Sequence, residues 1–134
     1  NEETLLIVQI ESPRALDEVE AIAKVPGVDV LMLGPGDMSV LSGVPFEFDH
    51  PTMLHARQRI AAAAISAGIQ WGTTSPTSEH SQLLLADGAR FICHGADILF
   101  VKRALDQVQE QYAGLGFTFD NRLGAMAAEL QSYL

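Results

Sequence analysis

The chain has 134 residues, with 8 Lys and Arg against 17 Asp and Glu, giving a formal net charge of −9. That excess of acid argues against an electrostatic nucleic-acid binder. Hydrophobic residues make up 48% and charged residues 19%, the balance of a chain that buries a core rather than one that stays disordered; no apolar run approaches the roughly 20 residues of a membrane-spanning helix.

The length accommodates one compact domain. A single cysteine, Cys93, excludes an intrachain disulfide, and this fits a reducing, cytoplasmic setting. The chain opens on Asn1-Glu2-Glu3-Thr4 with neither an initiator Met nor a signal-peptide pattern, and is expected to begin within a longer protein.

Leu5 to Ile10 is a short apolar, partly β-branched run that predicts a buried parallel strand ending at Glu11. Ser12-Pro13 then reads as an N-cap followed by a first helical residue, with Ala15, Val19, Ile22 and Ala23 on one helix face and Pro26-Gly27 ending the helix. Val28 to Leu33 predicts a second strand, and Gly34-Pro35-Gly36-Asp37 breaks regular structure after it. Asp49-His50-Pro51 opens a helix whose Met53, Ala56, Ile60, Ala63, Ala64 and Ala67 share a face before Gly68 stops it; the small alanines predict close packing on a sheet. Ile69 to Thr74 predicts a third strand, Ser75 to Ser78 a capped start to a short helix ending at Asp87-Gly88, and Arg90 to His94 a fourth strand. Ile98, Val101, Leu105, Val108 and Tyr112 recur at helical spacing, with Gly114 and Gly116 closing that helix. Leu123, Met126, Ala127 and Leu130 mark a tail helix over 121–134 that should dock on the same chain or on a partner subunit.

The order is therefore βαβαβαβα plus a tail helix, an α/β chain with right-handed parallel crossovers. Four βα units are half of an eight-unit barrel, which takes about 250 residues, whereas an open doubly wound sheet of four or five strands closes at this length. Length favours the open sheet; the Asn1 start favours the barrel.

Glu11 and Asp37 follow consecutive predicted strands, at the end of the sheet where α/β folds gather functional groups. Two carboxylates converging there repel unless a cation neutralises them, and oxygen-only ligation suits a hard divalent ion such as Mg²⁺ or Mn²⁺. With two protein ligands, positions stay open for water and for a small bidentate oxyanion or 2-oxo acid. The competing reading makes both acids helix caps. The glycine-rich Gly34 to Asp37 segment matches neither the dinucleotide fingerprint nor the phosphate-loop lysine motif; a bare backbone at Gly36 suits close approach of a carboxylate ligand to N–H groups, and an ordinary turn is the alternative. His50, His55, His80 and His94 lack zinc spacing and read as surface or capping groups, with His94 near the right end of the sheet to support a site. Cys93 reads as a small buried hydrophobe and Trp71 as core or pocket wall.

Val8-Gln9-Ile10-Glu11-Ser12, then Val25-Pro26-Gly27-Val28-Asp29, then Leu33-Gly34-Pro35-Gly36-Asp37-Met38-Ser39 resemble the HpcH/HpaI family of metal-dependent pyruvate aldolases. The resemblance continues through Gly43-Val44-Pro45, Asp49-His50-Pro51, Gly88-Ala89-Arg90-Phe91 and Gly95-Ala96-Asp97. It implies the C-terminal half of a (β/α)₈ TIM barrel: residues 1–116 supply βα units 5 to 8, and 117–134 a docking helix that swaps between neighbouring barrels. It also implies a divalent metal on Glu11 and Asp37, Mg²⁺ first, with Mn²⁺ and Co²⁺ as alternatives. Gln9 would then lie near a keto oxygen, and Pro35, Gly36 and Asp37 would line the seat of a pyruvate carboxylate. Gly36 stands where the family more often carries alanine.

The implied activity is a carbon–carbon lyase that forms a pyruvate enolate by retro-aldol cleavage of a 4-hydroxy-2-oxo acid or by oxaloacetate decarboxylation. The implied partners are a 2-oxo acid, the N-terminal half of the barrel and further copies in a trimer or hexamer. The family's essential Arg and its proton-handling His and Asp have no matching positions here, so the 134 residues by themselves are expected to be inactive. Three alternatives stand beside this: decarboxylation with enolate addition to a 2-pyrone, a citrate-lyase-β-like acyl-CoA lyase, and a non-catalytic small α/β binding domain.

Overall fold

The computed structural model describes residues 3–119. They divide between His94 and Gly95 into two compact units.

The first unit is built on a four-stranded, wholly parallel sheet in the order β1-β2-β3-β4, with β1 at Ile7–Ile10, β2 at Val30–Leu33, β3 at Gln70–Thr74 and β4 at Phe91–Cys93. Each strand pairs with the next in sequence, as βα crossovers require. The strands are shorter than the apolar runs that predict them: Leu5, Leu6, Val28 and Ile69 all lie just before the ladder.

Register fixes the two faces. Val8 pairs with Leu31 and Leu31 with Trp71; Ile10 pairs with Leu33, Leu33 with Thr73 and Thr73 with Ile92. This face carries the core, where Ile10, Leu31, Leu33 and Trp71 are buried with Val19, Ala23, Met53, Ala56, Ile60, Ala63, Ala64 and Leu84 from the helices. The opposite face carries Ile7, Gln9, Val30, Met32, Gln70, Gly72, Thr74, Phe91 and Cys93 by the period-two alternation of strands.

The expected helix after Ser12 is two short ones, α1 (Pro13–Asp17) and α2 (Val19–Ala23), broken at Glu18 with φ −100° and ψ 9°. The Ser12 hydroxyl caps α1 by accepting from the Ala15 N–H. The break re-aims the second segment so that Val19 and Ala23 are buried, whereas no residue of α1 is. Helix α3 (Pro35–Leu41) starts one residue after β2, where only a break was expected: Gly34 interrupts the backbone for a single residue, and Pro35, with its φ preset, begins the next turn. Helix α4 (Pro51–Ala67) has the predicted bounds, with His50 as N-cap, its Nδ1 accepting from the Thr52 N–H, and Gly68 as the left-handed C-terminal stop at φ 73°. It lies on β2 and β3, and its buried alanines allow that close approach. One guanidinium nitrogen of Arg59 in α4, Nη2, donates to both carboxylate oxygens of Glu20 in α2 at 2.8 Å; those hydrogen bonds hold the Glu20 carboxyl below its usual value. Helix α5 (Ser78–Ala86) is capped by the Thr77 hydroxyl.

Gly72 is where β3 and β4 approach most demandingly, because a Cβ there would overlap the Phe91 carbonyl. Gly72→Ala is therefore expected to destabilise the protein by about 2–3 kcal/mol, the scale of forced overpacking. A thermal melt checks it, and a melting temperature equal to wild type would show that the strand pair has room.

The second unit contains α6 (Asp97–Ala113), matching the predicted helix, with a Lys102–Asp106 ion pair one turn apart and an edge-on Tyr112–Phe117 ring contact at 5.6 Å beyond its end. The tail helix expected over 121–134 lies outside the described residues. Among the described residues, no helix is long and apolar enough to cross a membrane.

Candidate active site

Glu11 follows the last residue of β1 and Gly34 the last residue of β2. The ladder runs one step beyond the strands, since the Gly34 N–H donates to the Ile10 carbonyl at 3.0 Å. Alternation places Gln9 and Glu11 on the face opposite the helix-covered core, and Gly34 lies on that face beside them. A side-chain carbon at Gly34 would fall 2.5 Å from the Gln9 Nε2, 2.8 Å from the Glu11 Cβ and 3.0 Å from the Glu11 Oε2. Glycine is thus required there by close approach. The end of β2 is held from the other side by Thr73, buried in β3, whose hydroxyl donates to the Leu33 carbonyl at 3.0 Å.

Over Gly34 the Gln9 amide nitrogen donates to Glu11 Oε2 at 2.7 Å. A carboxylate only accepts, so this contact requires the NH₂ side of the amide, and the amide oxygen turns away with one N–H to spare. Asp37 stands in the first turn of α3 with its side chain exposed. No Lys or Arg pairs with either acid among the described residues; the ion pairs found there join Arg57 to Asp87, Arg59 to Glu20 and Lys102 to Asp106. Nor do the described residues bring together three or more His, Cys, Asp or Glu side chains in a metal-holding group. What they offer is two carboxylates beyond neighbouring strand ends, one braced by an amide, with no protein cation to neutralise them. That donor set fits a hard divalent ion with most of its positions left to water and ligand.

Gly36 differs from Gly34: among the described residues, a side-chain carbon there would meet no atom within 4 Å beyond its chain neighbours and its own helix backbone. An alanine methyl would project into open space, so the glycine enlarges the room beside Asp37. Sequence alone assigns no individual role to Gly34, Thr73 or Ser39, although Gly34 and Ser39 lie in the Leu33 to Ser39 motif; their roles are defined by contacts to another segment. Ser39 is fully buried; its hydroxyl donates to the Gly36 carbonyl at 2.6 Å and accepts from the Phe46 N–H at 2.9 Å. Its place at the end of the Leu33 to Ser39 motif was the sequence signal for it.

His80 and His94 both make polar contacts to Ser75. His80 Nδ1 lies 3.1 Å from the buried Ser75 hydroxyl, which donates to the Thr77 carbonyl and accepts from Ser81. His94 Nδ1 lies 2.9 Å from the Ser75 carbonyl, which makes that nitrogen the protonated one. His55 is exposed. Cys93 is half-buried, on the face opposite the core, rather than within the core as expected, and Trp71 is core. Two surface hollows, of about 380 and 300 Å³, lie away from the acids. One is at the amino ends of the strands beside Asp29 and Arg90, the other along α4 beside Arg57 and Asp87.

The family model of HpcH/HpaI aldolase/citrate lyase matches residues 1–104. The hydroxypyruvate/pyruvate aldolase of Paraburkholderia phytofirmans is 38% identical over 111 residues, covering 83% of this chain and 43% of that protein. The 2-keto-3-deoxy-L-rhamnonate aldolase of Klebsiella pneumoniae is 32% identical over 107 residues, covering 80% of this chain and 40% of that protein. The crystal structure of an HpcH/HpaI aldolase/citrate lyase family protein from Burkholderia cenocepacia superposes with a TM-score of 0.74 at 34% identity, over 84% of this chain and 44% of that one. The chain thus spans less than half the length of each of these three relatives.

Proposed function

The chain belongs to the HpcH/HpaI aldolase/citrate lyase family, and from that premise we propose that it supplies the metal-ligating part of an aldolase that forms a pyruvate enolate. The enolate would arise by retro-aldol cleavage of a 4-hydroxy-2-oxo acid, and the reverse reaction would join it to an aldehyde. The observation that carries this reading is the Gln9–Glu11 pair seated on Gly34, one helical turn from Asp37, with no Lys or Arg paired with either acid among the described residues. The four βα units have the architecture of a segment of a (β/α)₈ barrel, and the site lies at the carboxyl ends of the strands, where such barrels do their chemistry.

Glu11 and Asp37 would hold a divalent cation, Mg²⁺ by the hardness of the donors. When bound, that ion supplies Lewis acidity to the keto oxygen, where negative charge develops. The remaining roles fall to the chain's own groups. Gln9 orients the Glu11 carboxylate and has a second N–H to offer the same oxygen. Backbone N–H groups at Gly36 and Asp37 would hold the pyruvate carboxylate, with Pro35 setting the turn that presents them. The Arg, His and Asp that the family resemblance requires for proton handling would come from the rest of the full-length protein, and the predicted tail helix from 121 onward would dock on a neighbouring copy in a trimer or hexamer.

Exchange of pyruvate methyl protons with D₂O, followed by NMR in the full-length protein, tests this because enolate formation precedes every acceptor. Exchange that needs Mg²⁺ or Mn²⁺ and stops with chelator is the expected result. A folded protein that leaves the methyl signal intact with Mg²⁺, Mn²⁺ and Co²⁺ would overturn it and turn attention to acyl-CoA thioesters. Oxaloacetate decarboxylation and addition to a 2-pyrone pass through the same enolate, so acceptor screening follows a positive result.

A further inference from the structure

We propose that Ser39 is a positioning residue for Asp37, working through the peptide that joins Gly36 to Asp37; this rests on the reading of Asp37 as a metal ligand. The Gly36 carbonyl and the Asp37 N–H belong to one planar peptide unit, so fixing the direction of the carbonyl fixes the N–H and the Cα that bears the carboxylate. The Ser39 hydroxyl does this with a 2.6 Å hydrogen bond to the Gly36 oxygen. Helix α3 spans only Pro35–Leu41, and its amino end has no side-chain cap. The hydroxyl adds a side-chain restraint on the carbonyl side of that peptide.

The hydroxyl is itself held from outside the helix. It accepts from the Phe46 N–H at 2.9 Å, and the Ser39 carbonyl accepts from the Val44 N–H at 3.0 Å. Phe46 is the one non-glycine residue among those described with positive φ, at 61°. A bulky residue in that region is uncommon and persists only when its surroundings hold it there. Here that conformation accompanies the N–H contact to Ser39. Ser39 is fully buried, so water does not compete for either bond. The segment after α3 thereby acts as a brace on the turn that carries Asp37, and the site is coupled to residues 43–48.

The test uses Mn²⁺ binding, read from the free-ion EPR signal, in the full-length protein and its Ser39→Ala, Ser39→Thr, Asp37→Asn and Ser39→Ala/Asp37→Asn variants. Ser39→Ala is expected to weaken Mn²⁺ binding about 10-fold, the lower end for loss of a group that supports a ligand. Ser39→Thr, which keeps the hydroxyl, restores most of that affinity. In the Asp37→Asn background Ser39→Ala has no further effect, because a residue that acts through Asp37 loses its influence when that ligand is gone. Wild-type affinity in Ser39→Ala, or an equal loss in both backgrounds, overturns the inference while leaving the metal reading intact. If Asp37→Asn itself binds Mn²⁺ as wild type does, the metal reading and this inference fall together. Should Ser39→Ala not fold, amide exchange in the wild type decides. Mg²⁺ is expected to slow exchange in the peptide containing Phe46, since coupling between two sites is reciprocal, and exchange that Mg²⁺ leaves unchanged overturns the inference.

Discussion

In the full-length protein, Glu11→Gln and Asp37→Asn are each expected to lower metal-dependent exchange of pyruvate methyl protons by about 10²–10³-fold, the scale for removing one preorganised electrostatic group. Both substitutions keep the side chain's size and remove its charge. Asp37 is exposed in the first turn of α3, so Asp37→Asn gives up only a favourable but small interaction with the helix amino end. Glu11→Gln replaces the acceptor of the Gln9 amide with another amide, which can still accept through its oxygen. Folding should therefore survive in both, and the loss should appear in metal affinity and exchange rate. Full exchange in either variant would show that the acid serves as an ordinary strand-end or helix-cap residue.

Gly34→Ala should produce the second largest loss, although it adds only a methyl group. That methyl would stand 2.8 Å from the Glu11 Cβ, an atom tied to the backbone with little freedom to move, and 2.5 Å from the Gln9 Nε2. Relief requires the Gln9–Glu11 hydrogen bond to open or β1 to shift against β2. Catalysis and Mn²⁺ affinity are expected to fall about 10–100-fold, as when a ligand's support is lost, with a stability cost of about 1–3 kcal/mol. Gly36→Ala is the folding control: among the described residues nothing beyond its chain neighbours and own helix backbone lies within 4 Å of the added carbon, so its melting temperature should match or exceed wild type. Gly34→Ala with wild-type exchange and metal affinity would mean that the pair above it is not the working arrangement.

Much of the element order can be read from local pattern. The α4 boundaries follow from His50-Pro51 at one end and Gly68 at the other, because a cap, a preset φ and a left-handed stop are properties of a few adjacent residues. The division after Ser12 into α1 and α2 was not legible, since neither Gly nor Pro marks Glu18; the break follows from the direction in which Val19 and Ala23 must be turned to reach the sheet. Helix α3 was masked by Gly34-Pro35-Gly36, which reads as a turn although Pro35 also suits a first helical turn.

The sequence by itself determined that this is an alternating α/β chain with Glu11 and Asp37 after consecutive strands, because hydrophobic period and turn chemistry act over short stretches, and its motifs determined the family resemblance. Tertiary structure decided which glycine is crowded and which is open, that Gln9 braces Glu11, that Thr73 holds the end of β2, and that Phe46 reaches back to Ser39. Those contacts depend on strand register and on the return of a loop across a helix. Both are fixed only when the sheet face is buried against α2 and α4 as a whole, because a one-residue slip in register would turn every strand side chain to the other face.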